Sequence, residues 1–445
     1  MEIAIRRIIK PFSLEDPPGQ RILAPLFLVS FACLYTEILL IRWIGTEVRV
    51  FAYFQNLALI ACFLGFGIGC YQSKKNKSTI FDPIALGLLI IGVELPFKFW
   101  KSILESISWG LGFSHDASIW TRNVSEADVS LPLFFFSAIV ITAFLILIIA
   151  TMIPSGQWVG AYLDSARDPV MAYSINLLGS VAGIWLFAAM GFLRFPPELW
   201  FGLAFLMFLL VRNRARAIRL TSVLFLLGSL LLLHTVRSSS KEIYWSPYQK
   251  LEVLDFKNHE YEIHVNNTGY MTIANLTPEF LDQHPDLARR YEDNSYDTPL
   301  RFAKRMDRVL IVGSGAGNDV AAALRNGALD VDAVEIDPVI YSIGKRLHPE
   351  HPYDSPKVHV IVNDARAYLR RSAQRYDVIV FALLDSHTQI SGYSNTRIDN
   401  YVYTEESFRE AQQLLTPTGI LIIKFEVRPS WSWMGQRFYA LLSHL

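Results

Sequence analysis

Cysteine is scarce in this 445-residue chain: there are three, Cys33, Cys62 and Cys70. All fall in or beside apolar stretches, and their spacing fits neither a disulfide framework nor a metal-ligand set. They read as small apolar packing residues, and no metal site is expected. One-sided charge is missing too, since 41 Lys+Arg balance 41 Asp+Glu. Without a long block of one sign, nucleic acid has no basic stripe to bind. Residues 1–22 are mixed and lack an apolar core followed by small residues, which argues against a cleavable signal peptide. There is no internal repeat or low-complexity tract.

Apolar residues are abundant, at 52% of the chain, and unevenly placed. Seven apolar stretches precede residue 240: about 23–45, 51–71, 80–97, 131–153, 171–193, 197–211 and 218–236. Several reach the ~20 residues that a bilayer core demands of a helix. They are apolar all round, which disfavours soluble amphipathic helices. The third is flanked by Pro83 and Pro96, and the sixth is short. Charge also divides the chain: residues 1–240 carry 19 Lys+Arg and 14 Asp+Glu, residues 241–445 carry 22 and 27.

Orientation meets a conflict. The basic loops Arg6–Arg21, Lys74–Lys77 and Arg212–Arg219 all belong in the cytoplasm by the positive-inside rule. A seventh span after them would carry the C-terminal half outside, away from where its cofactor is made. Either one stretch is re-entrant or interfacial, or an extra crossing lies in 98–113, or the basic loops mislead. The expectation is an integral protein of the inner or cell membrane with a cytoplasmic C-terminal domain.

The second half has a different grammar. Gln249–Phe256, Tyr261–Val265 and Tyr270–Ala274 read as a small β-meander turning at Asn266-Asn267-Thr268-Gly269. From Asp307 strands and helices alternate through short loops: Val309–Val312, Asn318–Asn326, Val331–Ile336, Val339–Leu347, Val358–Val362, Ala365–Ser372, Val378–Phe381, Glu405–Leu415 and Gly419–Phe425. That alternation predicts a parallel, doubly wound sheet. The expected fold is thus an N-terminal α-helical transmembrane bundle over 1–240, a β-meander and connecting region over 241–306, and an α/β Rossmann-like cofactor-binding domain over 307–445.

The strongest local signal is Val309-Leu-Ile-Val-Gly313-Ser-Gly315-Ala-Gly317-Asn-Asp319. A buried strand runs into a glycine-rich turn and a helix, where backbone can approach a ligand and free N–H groups are offered. Glu335 follows Gly313 by 22 residues at the end of the second strand, where an acid can hold both ribose hydroxyls. Asp364 ends the third strand, where a carboxylate can accept from an adenine amino group. Turn and acids converge on one crevice.

The domain resembles the spermidine synthase (polyamine aminopropyltransferase) family, which shares its sheet with S-adenosylmethionine-dependent methyltransferases. The matching residues are Ser246-Pro-Tyr248-Gln249-Lys-Leu-Glu-Val, the glycine turn, Val334-Glu335-Ile-Asp337-Pro338, Asn363-Asp364-Ala365-Arg366, Tyr376-Asp377-Val-Ile-Val and Tyr403-Thr-Glu405. Thr36-Glu37-Ile-Leu-Leu-Ile-Arg42, Gly65-Phe-Gly67-Ile-Gly69 and Tyr173–Gly183 look like the multi-span segment that some bacterial members carry ahead of this domain. The resemblance implies S-adenosylmethionine or decarboxylated S-adenosylmethionine as cofactor. It assigns Gly313, Gly315 and Gly317 to the methionine-derived part, Glu335 to ribose and Asp364 to adenine. Gln249 becomes a pocket residue, with Asp337 and Ala365 carried within their motifs. The expected partners are this small molecule and the lipid bilayer; a homodimer is admitted.

Departures from the pattern are informative. Family enzymes place an acid within the glycine turn, where this chain has Ala316. They also set two acids three apart after the fourth strand; here these positions are Ala382 and Asp385. A neutral, aimed amine must attack a carbon next to a sulfonium while carboxylates bind the ammonium ends of a diamine. With alanine at two anchors, the acceptor is not expected to be putrescine, and Asp385 with His387 is the candidate acceptor and base. Methyl transfer to a lipid or membrane-associated substrate, or a non-catalytic sensor domain on a transporter-like or scaffold protein, stand beside aminopropyl-type transfer. The resemblance also leads one to expect a helix and a final strand pair after 419–425, whereas Trp431–Leu445 supplies only a helix. In the apolar half, Glu37 and Arg42 are ionisable residues within a span, and the glycines at 65, 67, 69, 179 and 183 are expected to let helices pack closely.

Overall fold

The computed structural model describes residues 22–53, 55–73, 83–110, 131–211, 216–239, 242–256, 260–384, 402–425 and 432–444. The chain divides into two compact units, with the break after Lys250 rather than at the expected 240. The ten extra residues stay with the helices because Trp245 is buried in the helical core, edge-on to Trp200 with ring centroids 4.9 Å apart.

Among the described residues the first unit contains α1 (Leu23–Glu47), α2 (Arg49–Tyr53), α3 (Gln55–Gln72), α4 (Pro83–Glu94), α5 (Lys98–Gly110), α6 (Leu131–Asp164), α7 (Pro169–Phe192), α8 (Pro197–Val211) and α9 (Arg216–Ser239), then the short strand β1 (Ile243–Trp245). Each expected apolar stretch is helical over its described part. Among the described residues, three helices, α1, α6 and α7, are long and apolar enough to cross a membrane. The others are shorter or only partly apolar. Helix α5 does not supply the extra crossing considered for 98–113: its 13 residues reach about 20 Å, short of the ~30 Å hydrocarbon core. Helix α6 runs on through Pro154 for 34 residues, past the expected end at 153.

Close helix approach accounts for most of the glycines. A Cβ on Gly65 would lie 2.5 Å from the Ile149 carbonyl oxygen, and one on Gly179 2.5 Å from that of Phe27, so α3 meets α6 and α1 meets α7 backbone to backbone. Gly67 faces open space and has no such role. Arg42 donates to the Ser246 carbonyl and lies over Trp200, its Cζ 5.0 Å from the ring. Glu37 is buried on α1, and Cys33 and Cys62 are buried packing residues.

The second unit opens with an antiparallel meander: β2 (Lys250–Asp255) pairs with β3 (Tyr261–Val265), and β3 with β4 (Thr268–Ile273). Asn266 and Asn267, with φ of 48° and 62°, make the tight turn between β3 and β4. Short helices α10 (Pro278–Gln283) and α11 (Pro285–Arg290) and a 3₁₀ turn at Thr298–Phe302 fill the connecting region.

Then come β5 (Arg308–Val312), α12 (Asn318–Arg325), β6 (Asp330–Glu335), α13 (Pro338–Leu347), β7 (Val358–Val362), α14 (Ala365–Arg371), β8 (Tyr376–Phe381), α15 (Glu405–Gln413), β9 (Leu415–Ile423) and α16 (Ser432–Ser443). The sheet is parallel throughout, in the order β7-β6-β5-β8-β9. Buried on both faces, Val309–Val312 and Val378–Phe381 form its centre, as continuous apolar runs in parallel strands should. Chain order reverses between β5 and β8, and the crevice of such a sheet opens there, beyond the strands' C-terminal ends.

Candidate functional site

The loop after β5 is shaped by its glycines. Gly313, Gly315 and Gly317 have φ of 77°, 55° and 108°, a region L side chains rarely enter. The amides of Gly313 and Ser314 both donate to the Val334 carbonyl at 2.9 Å, fastening the loop to the end of β6. From the far side, the Tyr353 hydroxyl lies 2.7 Å from the Gly315 carbonyl and 3.1 Å from Ser314 Oγ. Gly344 on α13 lets that helix lie directly on Ala316, where a Cβ would clash with its backbone.

Glu335 is where β6 delivers it. Its Oε2 accepts from the Gly315 amide at 2.8 Å and its Oε1 from the Asp337 amide at 2.8 Å. Each carboxylate oxygen keeps a lone pair for a further donor. Burial pushes the carboxyl up to about 7, against the pull of those amides. Asp337 and Asp364 cap helices: Asp337 accepts from Val339 N at 2.9 Å at the start of α13, and Asp364 from Ala367 N at 2.8 Å at the start of α14. The cap bonds explain both acids' positions by themselves. Ala365 is the first residue of α14.

A cavity of about 300 Å³ opens at this end of the sheet. The glycine loop from Gly313 to Ala316 forms one wall, Gly269–Thr272 of the meander another, and Tyr296, Asn318, Asp319, Ala382 and Leu383 complete it with Glu262. Gly313, Gly315, Ala316 and Ala382 thus line one space, whereas Gly317, Glu335, Asp337, Asp364 and Ala365 are not among its lining residues. Gln249 lies in the other compact unit, in a turn where its amide donates to Ser246 Oγ at 3.0 Å. Asp385 and His387 lie outside the described residues.

Several cavity groups went unassigned in the sequence. The Asn318 amide donates to the Thr272 carbonyl at 2.5 Å and to the Tyr296 hydroxyl at 3.0 Å, and its oxygen meets His348 Nε2 at 3.1 Å. Burial, and then the Arg325 charge, push the His348 imidazole down to about 3, so it sits there neutral. Lys424, just past β9, forms an ion pair with Asp319 and carries its ammonium 4.8 Å from the Tyr296 ring centroid. Glu262 and His264 share one face of β3, with His264 Nε2 3.2 Å from Glu262 Oε1. A Cβ at Gly269 would stand 2.5 Å from that oxygen, so the glycine makes room for the acid. Only Asn318 and Asp319 had a local signal, as the last two residues of the glycine motif. The others meet through strand pairing and chain reversal, which no local pattern encodes.

A parallel sheet with a glycine turn, a strand-end acid and a cavity at its switch point defines a Rossmann-like α/β domain. Residues 289–428 match the family model described as "Spermine/spermidine synthase domain", so this part of the chain is similar to that family.

Among curated relatives, the polyamine aminopropyltransferase of Vibrio vulnificus is 34% identical over 128 residues, covering 28% of this chain and 39% of that protein. That of Korarchaeum cryptofilum is 24% identical over 139 residues, 31% of this chain and 40% of its own. Polyamine aminopropyltransferase 2 of Aquifex aeolicus is 23% identical over 189 residues, 41% and 35%. This chain therefore spans 35–40% of the length of these relatives. Among solved structures, the spermidine synthase of Thermotoga maritima aligns with a TM-score of 0.34 at 15% identity, over 46% of this chain and 62% of that one. A spermidine synthase in complex with the transition-state analogue AdoDATO gives the same figures.

Proposed function

We propose that this chain is an integral-membrane transferase of the spermidine synthase kind, whose α/β unit binds an S-adenosyl sulfonium cofactor and modifies an acceptor other than putrescine. One observation carries the cofactor reading: Glu335, at the end of β6, is bonded to the amide of Gly315 in the cavity's glycine loop. A ribose held by Glu335 leaves the cofactor's sulfonium end directed along the loop, where backbone approaches without obstruction. Asp364, at the next strand end, serves the adenine.

The acceptor reading rests on Ala316 and Ala382. Both line the cavity, and neither can anchor an ammonium. Asp385 with His387 is the proposed acceptor and base; Glu262, which lines the cavity, and His264 behind it at 3.2 Å are a second acid–base pair. Methyl transfer to a lipid or membrane-associated substrate is the second reading, favoured by the same two alanines.

Membrane insertion is supported by the three long apolar helices and by the apolar residues they and their neighbours turn outward, among them Phe63, Ile139 and Trp185, each more than half exposed. The α/β domain is placed in the cytoplasm, where the cofactor is made.

Calorimetric titration of the detergent-extracted full chain with S-adenosylmethionine, its decarboxylated form and 5′-methylthioadenosine tests the cofactor reading. Binding of at least one, lost in Glu335→Ala, is the expected result. Absence of binding to all three, or unchanged affinity in the variant, overturns it.

A further inference from the structure

The cavity has an oddity for a site that handles amines. Its acid Asp319 is not a lone carboxylate awaiting a substrate ammonium, because Lys424 holds its Oδ1 in an ion pair from the end of β9. Both side chains are nearly buried, at 11% and 10% exposed. Burying two charges is expensive, and apolar residues of similar size would join β9 to α12 as well or better. The pair also sits on a built platform. The Tyr296 ring lies under the ammonium, Asn318 fixes the Tyr296 hydroxyl, and His348 fixes Asn318.

We infer that the Lys424–Asp319 pair is the receptor for the amino-acid end of intact S-adenosylmethionine, so that this cavity takes the carboxylated cofactor in preference to the decarboxylated one. The inference rests on the adenosyl reading of the same cavity. The chemistry is one of matched charges. The methionine-derived end of S-adenosylmethionine is a zwitterion, with a carboxylate and an ammonium on one carbon. Lys424 has three N–H donors, only one of which the Asp319 bond requires, so a carboxylate can be received beside it. The ligand's ammonium is assigned to Asp319 Oδ2, the carboxylate oxygen that the Lys424 ion pair does not engage. The decarboxylated cofactor brings an ammonium alone. It sets a cation against Lys424, and the positions where acids would compensate are Ala316 and Ala382. The two alanines and the lysine act in the same direction: the first remove the seat for a lone ammonium and the second adds a seat for a carboxylate.

The test uses the full chain in detergent and three ligands, with affinities read by calorimetry. 5′-Methylthioadenosine lacks the amino-acid end and reports the adenosine side alone. S-adenosylmethionine is expected to bind about tenfold or more tighter than its decarboxylated form, a difference of about 1.4 kcal/mol. Lys424→Met is expected to bring that ratio near one, and Lys424→Arg, which keeps the cation, to preserve it. Equal or tighter binding of the decarboxylated form by the unaltered chain overturns the inference, as does an unchanged ratio in Lys424→Met. Should Lys424→Met also lose 5′-methylthioadenosine, the variant has lost its fold, and the unaltered chain together with Lys424→Arg decides. If 5′-methylthioadenosine binds while the ratio fails, only the charge-matching inference falls; if none of the three binds, the adenosyl reading falls with it.

Discussion

The two units use glycine and buried polar atoms for opposite ends. In the helical unit, Gly65 and Gly179 remove side chains so that one backbone can lie on another, and the space closes. In the α/β unit, Gly313, Gly315 and Gly317 bend the chain into a region of φ that keeps side chains out, and the space stays open as a cavity. Polar atoms follow the same division. Several serines and threonines of the helices, such as Ser137, Thr151 and Ser229, return their hydroxyls to carbonyls of their own helix. At the C-terminal edge of the sheet, Glu335 bonds across to the cavity's glycine loop, and Asn318 bonds across elements while lining the cavity itself. Close packing alone builds a scaffold. A site also needs polar groups fixed by one set of partners and still able to accept a second.

The sharpest way to break this comparison is Glu335→Ala. Two hydrogen bonds from ribose hydroxyls to a carboxylate amount to about 3–6 kcal/mol, so cofactor affinity should fall about a hundredfold or more in calorimetry. A loss below tenfold would mean that Glu335 is only a loop fastener. Next comes Gly179→Leu on the scaffold side. Forcing a side chain between α7 and α1 should cost about 1–3 kcal/mol, read as a lower thermal midpoint in detergent. An unchanged midpoint would show that these backbones do not need their close approach.

Acidity separates fold from function at Glu335. Its folded pKa of about 7 lies above the ordinary 4.5. The unliganded fold therefore takes up a proton that the unfolded chain does not, and loses stability as pH rises from 4.5 to 7. Ribose hydroxyls need the ionised carboxylate, so cofactor affinity should move the other way, falling by up to about tenfold per pH unit below 7. Glu335→Gln should flatten both slopes, and a flat affinity profile in the unaltered chain would remove the carboxylate from ribose binding. The smallest effect belongs to Asp364→Ala. Loss of the α14 cap alone costs about 0.5–2 kcal/mol of stability, and weaker binding beyond that measures its part at the adenine. A variant that loses stability and keeps full affinity leaves Asp364 a cap only.

Much of this could be read from the sequence because it is local. The glycine turn, the strand-end acids and the β3–β4 turn at Asn266-Asn267 each occupy a few consecutive residues with their own φ or capping demands, and the structure puts them within a residue or two of expectation. The number of crossings was not legible there. Apolar composition marks a helix but not its length, and among the described residues three helices are both long and apolar enough to cross a bilayer. Trp245 went unassigned to the helical core because nothing beside it in sequence announces Trp200, 45 residues earlier. The Lys424–Asp319 pair is hidden for the same reason: 105 residues separate its members.

One hydroxyl has a consequence for how such a protein can change over generations. Tyr403 accepts from the Leu384 amide at 3.0 Å and lies 3.0 Å from the Lys424 carbonyl. It therefore clasps the chain where it leaves the cavity at 384 and where it has returned by 403. Closing a loop whose ends are already clasped costs little more when the loop lengthens, about 0.6 kcal/mol for each doubling. Insertions between residues 384 and 403 should therefore cost the sheet little, and evolution can add or remove residues there without rebuilding β8 or β9.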